Sequence, residues 1–202
     1  MKYKWLIIST TAFLLIVNTT YFWEGKLGGW AFPVFTVLFI FYVILVVILL
    51  RQLIVSFKER FSDKQRVIVA ASLLAVLLLT AFKPSGIIDF DKLSGKDLLI
   101  AEREGSANCM TTLKLKDNNT FVEKSVCFGV TEVKGSYEIN GDTIFFKNVS
   151  LGRNPENYYQ YAVVRPASFQ SEKIIGALMR YKDKADLEGH ELWIVKNELK
   201  NE

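Results

Sequence analysis

Long apolar runs fill the first 82 residues of the chain, and short alternating segments fill the remainder. An α-helix rises about 1.5 Å per residue, so a bilayer core of roughly 30 Å requires about 20 apolar residues. Three runs approach or reach that length, at about 5–23, 30–50 and 67–82. The pattern therefore predicts a membrane α-helical anchor over 1–82 with three spans.

The first run has two interpretations. Lys2 and Lys4 precede it, as basic residues precede the apolar region of a secretory signal peptide. However, no small-x-small cleavage site separates it from the second run, and Thr19-Thr20-Tyr21 is a poor substitute. We therefore interpret the first run as a retained membrane anchor.

Basic residues in the short connections predict the orientation, because connections rich in Lys and Arg stay on the cytoplasmic side. Residues 24–29 contain only Lys26, whereas residues 51–66 contain five basic residues. These topology-setting residues are Arg51, Lys58, Arg60, Lys64 and Arg66. We therefore expect a cytoplasmic N-terminus. Three crossings of a bacterial inner membrane then place residues 83–202 in the periplasm.

The segment 51–66 could also be helical. Leu53, Ile54 and Phe57 recur at helical spacing, so the segment could lie on the membrane or continue the second helix. We favour a basic loop. Arg66 precedes the short third run, and we expect its side chain to extend toward lipid headgroups.

Beyond the third run, the apolar spacing changes from a helical period to a period of two. Pro84 and Gly86 end the third helix. We expect a linker over 83–92, a β domain over 93–197 and a tail over 198–202. Eight candidate strands recur every 10–13 residues, at 97–103, 108–116, 120–127, 131–139, 142–149, 158–165, 172–181 and 189–196. Their spacing predicts an all-β antiparallel meander that forms a barrel or a sandwich.

The turn around Asn140-Gly141 gives one register between neighbouring strands. Asn and Gly tolerate positive φ, which the favoured two-residue hairpin turns require. A turn centred on these two residues would place Tyr137 opposite Ile144.

A second turn, at 117–119, governs the pairing of the two cysteines. A three-residue loop places Cys109 opposite Cys127, whereas a two-residue loop shifts the pairing by one. The alternation leaves this choice open, because the first register sets Leu113 against Glu123. Since both cysteines lie in the half predicted to be outside, we expect a disulfide, with two buried thiols as the alternative.

Charge divides the chain in the same way as hydropathy. Residues 1–82 carry eight Lys and Arg against three Asp and Glu, and residues 83–202 carry seventeen against eighteen. The β domain therefore lacks the positive excess that binds a nucleic-acid polymer. A mean hydropathy of +0.21 excludes a soluble single domain.

Catalytic and metal-binding motifs are missing from the sequence. His190 is the single histidine, and with two cysteines it cannot complete a zinc site. The alternating acids around Asp89 and Asp91 could form a carboxylate pair, although a solvated strand face is the favoured interpretation. We therefore predict no enzyme activity, no cofactor and no metal.

Aromatic and cationic residues near the sixth predicted strand are the best binding candidates. The four candidates are Tyr158, Tyr159, Tyr161 and Arg165. Alternation would place Tyr159 and Tyr161 on one face and Tyr158 on the other. Phe169 and the turn-forming loop 152–157 are additional candidates for contact.

Two stretches of the β domain carry a resemblance. Residues 112–121, Thr-Leu-Lys-Leu-Lys-Asp-Asn-Asn-Thr-Phe, are followed by residues 135–144, Gly-Ser-Tyr-Glu-Ile-Asn-Gly-Asp-Thr-Ile. This pattern resembles small lipocalin-like extracytoplasmic domains of Bacteroidota, which implies a meander barrel and no functional residue. Helices followed by a barrel are also similar to membrane effectors of bacterial cyclic-nucleotide antiphage systems, which typically have two spans and a cytoplasmic barrel.

These patterns predict a non-enzymatic integral inner-membrane protein that presents an extracytoplasmic β domain to a partner or small ligand. Sensor, immunity protein and accessory subunit all fit. The expected partners are the lipid bilayer, a membrane or periplasmic protein, or another copy of the chain. The alternative is an antiphage defence effector with a nucleotide-sensing barrel and membrane-disrupting helices. An enzyme that uses carboxylates is disfavoured, because no base–nucleophile pair is visible.

Overall fold

The structure is a computed structural model that describes residues 3–151, 158–168 and 171–199. The chain forms two compact units. One comprises Met1–Trp23 and Phe32–Phe90, and the other comprises Glu24–Ala31 and Asp91–Glu202. The short segment that separates the first two apolar runs therefore belongs to the unit that holds the β domain.

Apolar helices build the first unit, although two of them extend into the second unit. They are α1 (Lys4–Asn18), α2 (Thr20–Leu27), α3 (Ala31–Lys58) and α4 (Lys64–Phe82). The end of α2 and the first residue of α3 belong to the second unit. Helices α3 and α4 are each long and apolar enough to cross a membrane. Helices α1 and α2 are bent by 68° and pass the same test only as a pair. The described residues therefore provide two candidate spans, or three if the bent pair forms one span.

The connection between α3 and α4 is shorter than predicted. Helix α3 continues through Lys58, because the apolar spacing after residue 50 is helical. The favoured interpretation of 51–66 as a loop is thus wrong for its first half. Arg51 lies within α3, and only residues 59–63 connect the two helices.

Arg66 is buried, so the expectation that it extends toward lipid headgroups is wrong. Its side chain donates to Glu59 Oε2 at 2.5 Å and to the Tyr3 hydroxyl at 2.9 Å. Asp63 accepts from the Tyr3 hydroxyl at 3.0 Å and caps α4 by accepting from the Arg66 backbone N–H. The starts of α1 and α4 therefore lie side by side around one neutralised guanidinium.

The ends of α1 and α4 also meet. Asn18, the last residue of α1, accepts a hydrogen bond from the backbone N–H of Ile87 at 2.7 Å. The turn before Ile87 requires glycine, because Gly86 has a φ of +103° and its Cα faces the Asn18 backbone. Between these ends, α1, α3 and α4 share a core that includes Phe13, Leu45 and Leu73. Helices α1 and α4 thus run parallel.

A closed barrel of eight antiparallel strands forms the second unit, in which each strand pairs with the next and β8 pairs with β1. The strands are β1 (Asp97–Glu104), β2 (Met110–Lys116), β3 (Thr120–Val126), β4 (Val130–Asn140), β5 (Thr143–Leu151), β6 (Tyr161–Arg165), β7 (Gly176–Tyr181) and β8 (His190–Asn197). A short helix, α5 (Phe90–Leu93), precedes β1. The predicted meander is therefore confirmed, and it closes as a barrel.

The β2–β3 register brings the two cysteines together as predicted. Leu113 pairs with Glu123, which is the register of a three-residue loop. Met110 then faces Val126, and the adjoining Cys109 and Cys127 form a disulfide with a Cα–Cα distance of 4.5 Å. We call this end of the barrel, where odd-numbered strands connect to the following even-numbered strands, the disulfide end.

The predicted register of the β4–β5 hairpin is wrong. Tyr137 pairs with Phe146 rather than with Ile144, and the turn residues are Gly141 and Asp142. Only Gly141 has a positive φ, +58°, which fits a turn with glycine at its first central position. The observed register places two large buried rings, Tyr137 and Phe146, opposite each other inside the barrel.

Inward-facing apolar side chains fill much of the barrel. The fully buried members include Leu99, Leu113, Leu115, Phe121, Ile144, Leu178, Leu192 and Ile194. An eight-stranded barrel is just wide enough for side chains to fill its interior. The barrel is therefore a packed core over much of its length.

A buried lysine attaches the segment before β1 to the outside of the barrel. Lys116 Nζ donates to Asp97 Oδ1 at 2.9 Å and to the backbone oxygen of Asp91 at 2.9 Å, and it lies 3.1 Å from Asp91 Oδ1. Burial opposes the charged ammonium, but these carboxylates outweigh it and raise the pKa of Lys116. Lys114 forms a second ion pair with Asp91. The acids at the start of the β domain are thus structural ion-pair partners.

Replacing Lys116 should destabilise the barrel strongly. Lys116→Met leaves two poorly exposed carboxylates with one ammonium, so we expect a loss of about 3 kcal/mol in the free energy of unfolding. The matched control is Lys147→Met, which removes an exposed pair with Glu138 and should cost under about 1 kcal/mol. Urea unfolding of the full chain in mild detergent, followed by circular dichroism, measures both. Equal losses would contradict a special role for Lys116.

Candidate functional site

Two charged residues face into the barrel near its disulfide end. Glu123 lies on β3 opposite the inward-facing Leu113, and Arg180 lies on β7 two residues beyond the inward-facing Leu178. Their side chains are 12% and 6% exposed, and Arg180 Nη1 lies 2.7 Å from Glu123 Oε2. Burying either charge alone would be costly, so each stabilises the other inside the barrel.

Tyr158 completes this pair from the chain that precedes β6. Its hydroxyl donates to Glu123 Oε2 at 2.5 Å, and its ring stacks on Phe121 with centroids 5.4 Å apart. Burial raises the pKa of Tyr158 well above its usual range, and the negative charge of Glu123 raises it further. The phenol therefore stays protonated and remains a hydrogen-bond donor at neutral pH.

Tyr159 covers the other side of Arg180. The guanidinium carbon lies 4.1 Å from the centre of the Tyr159 ring, which is close for a cation–π contact. The His190 ring packs against Tyr159 with centroids 5.4 Å apart. Arg180 Nε is buried and has no hydrogen-bond acceptor in the described part of the chain. The cluster thus contains one N–H donor that has no acceptor among the described residues.

The four predicted binding residues separate into two groups. Strand β6 begins only at Tyr161, so alternation does not apply to the preceding residues. Tyr158 and Tyr159 both contact Arg180 or its acid, and the prediction that they lie on opposite faces is wrong. Tyr161 lies on the outer wall, since its neighbour Ala162 is fully buried inside.

Tyr161 and Arg165 belong to an outer aromatic group on β6 and β7. The Tyr161 ring stacks on Tyr181 at 5.1 Å, and the Arg165 guanidinium lies 6.0 Å from the same Tyr181 ring. This group stabilises neighbouring strands and does not meet the buried cluster. The remaining contact candidates, Phe169 and the loop 152–157, lie outside the described residues.

Sequence reasoning did not select Glu123 or Arg180 as candidates. The available signal was a charged residue at an inward position of a strand. Glu123 faces Leu113 in the register of a three-residue loop, which is unfavourable unless another strand supplies a cation. That cation, Arg180, comes from a strand four further along the chain.

The cluster offers binding chemistry. It contains a guanidinium, a carboxylate, two phenols and an imidazole face. Among the described residues, no group of three or more His, Cys, Asp or Glu could hold a metal ion. Because Glu123 is already bound to Arg180 and Tyr158, it is not poised as a base beside a nucleophile. The arrangement suits recognition of a small acceptor group by Arg180.

No protein-family model, curated protein or solved structure matches this chain. The resemblances to lipocalin-like domains and to membrane effectors therefore stay predictions.

Removing the Tyr158 hydroxyl should weaken the barrel and change its response to alkali. We expect Tyr158→Phe to lose about 2 kcal/mol at pH 8, because Glu123 loses a buried donor. In the wild type, an unfolded phenol ionises near pH 10 while folded Tyr158 stays protonated, so stability falls as pH rises above about 10. That decline should be shallower in Tyr158→Phe.

Tyr161→Phe is the matched control for this measurement. Its ring contact with Tyr181 survives the substitution, so its stability at pH 8 should stay within about 0.5 kcal/mol of the wild type. Urea unfolding of the full chain at pH 8, 10 and 11 distinguishes the two variants. A Tyr158→Phe protein as stable as Tyr161→Phe would contradict the buried hydrogen bond.

Proposed function

We propose that this chain is a non-enzymatic integral membrane protein of a bacterial inner membrane that holds its barrel outside the cytosol to bind a small ligand or a protein partner. The observation that relates the barrel to the helices is the pairing of Gly28 with Val130. Their backbones exchange two hydrogen bonds, at 3.1 and 3.3 Å. The segment that leads into α3 is therefore on the same side of the membrane as the barrel.

Two crossings are sufficient to explain this pairing. The chain leaves Gly28, passes through α3 and α4, and returns to pair at Val130. If both helices cross the bilayer, the chain ends on the side from which it started. This holds whether or not α1 is a span.

The parallel arrangement of α1 and α4 supports a third crossing. Tyr3 contacts Asp63 and Arg66 where both helices start, and Asn18 contacts Ile87 where both have ended. A helix that runs parallel to a spanning helix between the same two levels crosses the same layer. Helix α2, bent by 68° from α1, then lies more nearly along the membrane surface.

Charge and redox chemistry support the orientation. Arg66 is neutralised by acids, but four basic residues around the α3–α4 connection stay exposed: Arg51, Lys58, Arg60 and Lys64. Exposed basic residues favour the cytoplasmic side. The Cys109–Cys127 disulfide favours an oxidising compartment for the barrel. An effector with its barrel in the cytosol would have to keep this disulfide in a reducing environment.

The buried cluster supports binding as the role of the barrel. Arg180 Nε has no acceptor among the described residues and lies next to the Tyr159 ring, near the disulfide end. A ligand with a carboxylate, phosphate or carbonyl group could accept from that donor. A protein partner, or a second copy of the chain, could supply the same acceptor.

A reporter fused to the C-terminus tests the location. We expect alkaline phosphatase to be active after residue 202, because it folds only in an oxidising compartment. The matched control is a fusion after residue 62, in the α3–α4 connection, which should be inactive while a fluorescent cytosolic reporter at that position is bright. The reverse pattern would support the effector alternative and contradict this proposal.

Native mass spectrometry of the full chain tests binding. Protein purified in mild detergent from the membranes in which it is made should carry a small-molecule adduct or a co-eluting polypeptide. Arg180→Gln should lose that species, because the amide cannot reproduce the guanidinium donors. Lys147→Gln, on the exposed outer wall, should retain it. A wild-type protein with neither species would contradict a binding role.

A further inference from the structure

Four exposed apolar side chains lie on segments that meet beside the disulfide end. Met110 and Val126 face each other on β2 and β3 and are 40% and 43% exposed. Phe128, in the β3–β4 connection, is 84% exposed, and Trp30 is 62% exposed. We call these four residues the apolar tip. Contiguous exposed apolar side chains mark interaction sites more often than chance exposure does.

Phe128 is held in an unusual conformation at this tip. Its φ is +53°, a left-handed value that is rare for a bulky residue. The neighbouring residue must be glycine, because a Cβ atom added at Gly129 would overlap the Gly28 backbone. Strain that is maintained by the surrounding structure is typical of functional positions. Here it presents an aromatic ring to the outside.

The segment 24–31 is fixed beside Phe128 by several contacts. Gly28 pairs with Val130, and Glu24 Oε2 lies 2.9 Å from Lys124 Nζ on β3. Gly25 packs so closely on Glu132 that an added Cβ would lie 2.5 Å from the Glu132 Cβ atom. Trp30 therefore keeps a fixed position relative to the β3–β4 connection.

Trp30 lies at the point where the chain would enter the membrane if α3 crosses it. It directly precedes α3, whose first twenty residues, 31–50, carry no charged side chain. Tryptophan at the start of an apolar helix is typical of the boundary between headgroups and acyl chains. Phe128 lies two residues before Val130, which pairs with Gly28, so it is close to the segment that leads into α3.

We propose that the apolar tip inserts into the headgroup layer of the leaflet at which α3 begins, so that a lipid surface covers it. The inference rests on α3 crossing a membrane, and it is independent of which compartment holds the barrel and of what the barrel binds. The tip is a second, non-covalent membrane anchor. It holds the β3–β4 side of the disulfide end on the lipid surface.

The composition of the tip specifies the kind of lipid contact. Its members are uncharged, and Lys124, two residues before Val126, is already paired with Glu24. Insertion is therefore driven by apolar burial and by the interfacial preference of aromatic rings. The contact should not require anionic lipids and should resist moderate salt.

Photocrosslinking of the full chain in lipid vesicles tests the proposal. Phe128→p-benzoylphenylalanine places a reactive ketone at the tip without removing an aromatic ring. The matched control is Leu187→p-benzoylphenylalanine. Leu187 is 91% exposed in the β7–β8 connection, at the same barrel end but on the opposite wall. The vesicles contain phosphatidylethanolamine and phosphatidylglycerol, and lipid adducts are counted by mass spectrometry after irradiation.

We expect at least fivefold more lipid adducts at position 128 than at position 187, in 0.1 M and in 0.5 M salt alike. Equal yields at the two positions, or crosslinks from position 128 to protein instead of lipid, would overturn the proposal. Mass spectrometry without reduction verifies that each variant has formed its disulfide. Val126→p-benzoylphenylalanine is a second variant that leaves the strained turn intact, and it should also label lipid.

Discussion

The backbone pairing of Gly28 with Val130 is the constraint on which the arrangement of the chain depends. It joins the approach to α3 to the start of β4, and α3 and α4 lie within the long loop that it closes. Strand-like pairing requires direct contact between two backbones, and Gly129 allows that contact because a side chain there would collide with Gly28. If α3 and α4 both cross a membrane, as we propose, the chain therefore leaves and returns on the same side of it.

Much of the fold could be predicted from local patterns. Eight strand segments and the meander order follow from period-two alternation. The disulfide is expected because both cysteines lie in the half predicted to be outside. The hairpin register at Gly141 could not be predicted in this way. Both candidate turns contain Gly141, and the observed register sets the buried rings of Tyr137 and Phe146 side by side on neighbouring strands. The bend at Thr19 is equally non-local, because Asn18 contacts Ile87 after three further helices.

The buried cluster shows why sequence reasoning found only half of the candidate site. Tyr158 and Tyr159 attract attention because aromatic residues cluster along the chain. Glu123 and Arg180 are separated by more than fifty residues, and each is a charged residue at an inward-facing position of its own strand. Only closure of the barrel explains them, since it brings β3 and β7 to face each other across the interior. A charge that breaks the alternation of a strand is therefore a signal for a partner on another strand.

The buried ion clusters around Lys116 and Arg180 differ in whether all of their donors have acceptors. This difference separates a structural cluster from the candidate binding site. Lys116 has acceptors for all of its ammonium donors, supplied by Asp91, Asp97 and the Gly95 carbonyl, so it stabilises the fold without leaving a donor unmet. Arg180 Nε lacks an acceptor in the described residues, although the Arg180 side chain is also buried. A buried donor without an acceptor costs about 1–3 kcal/mol of stability. Stability alone would therefore favour a side chain that lacks this donor. The donor is consistent with a site that is completed by an acceptor from outside the barrel.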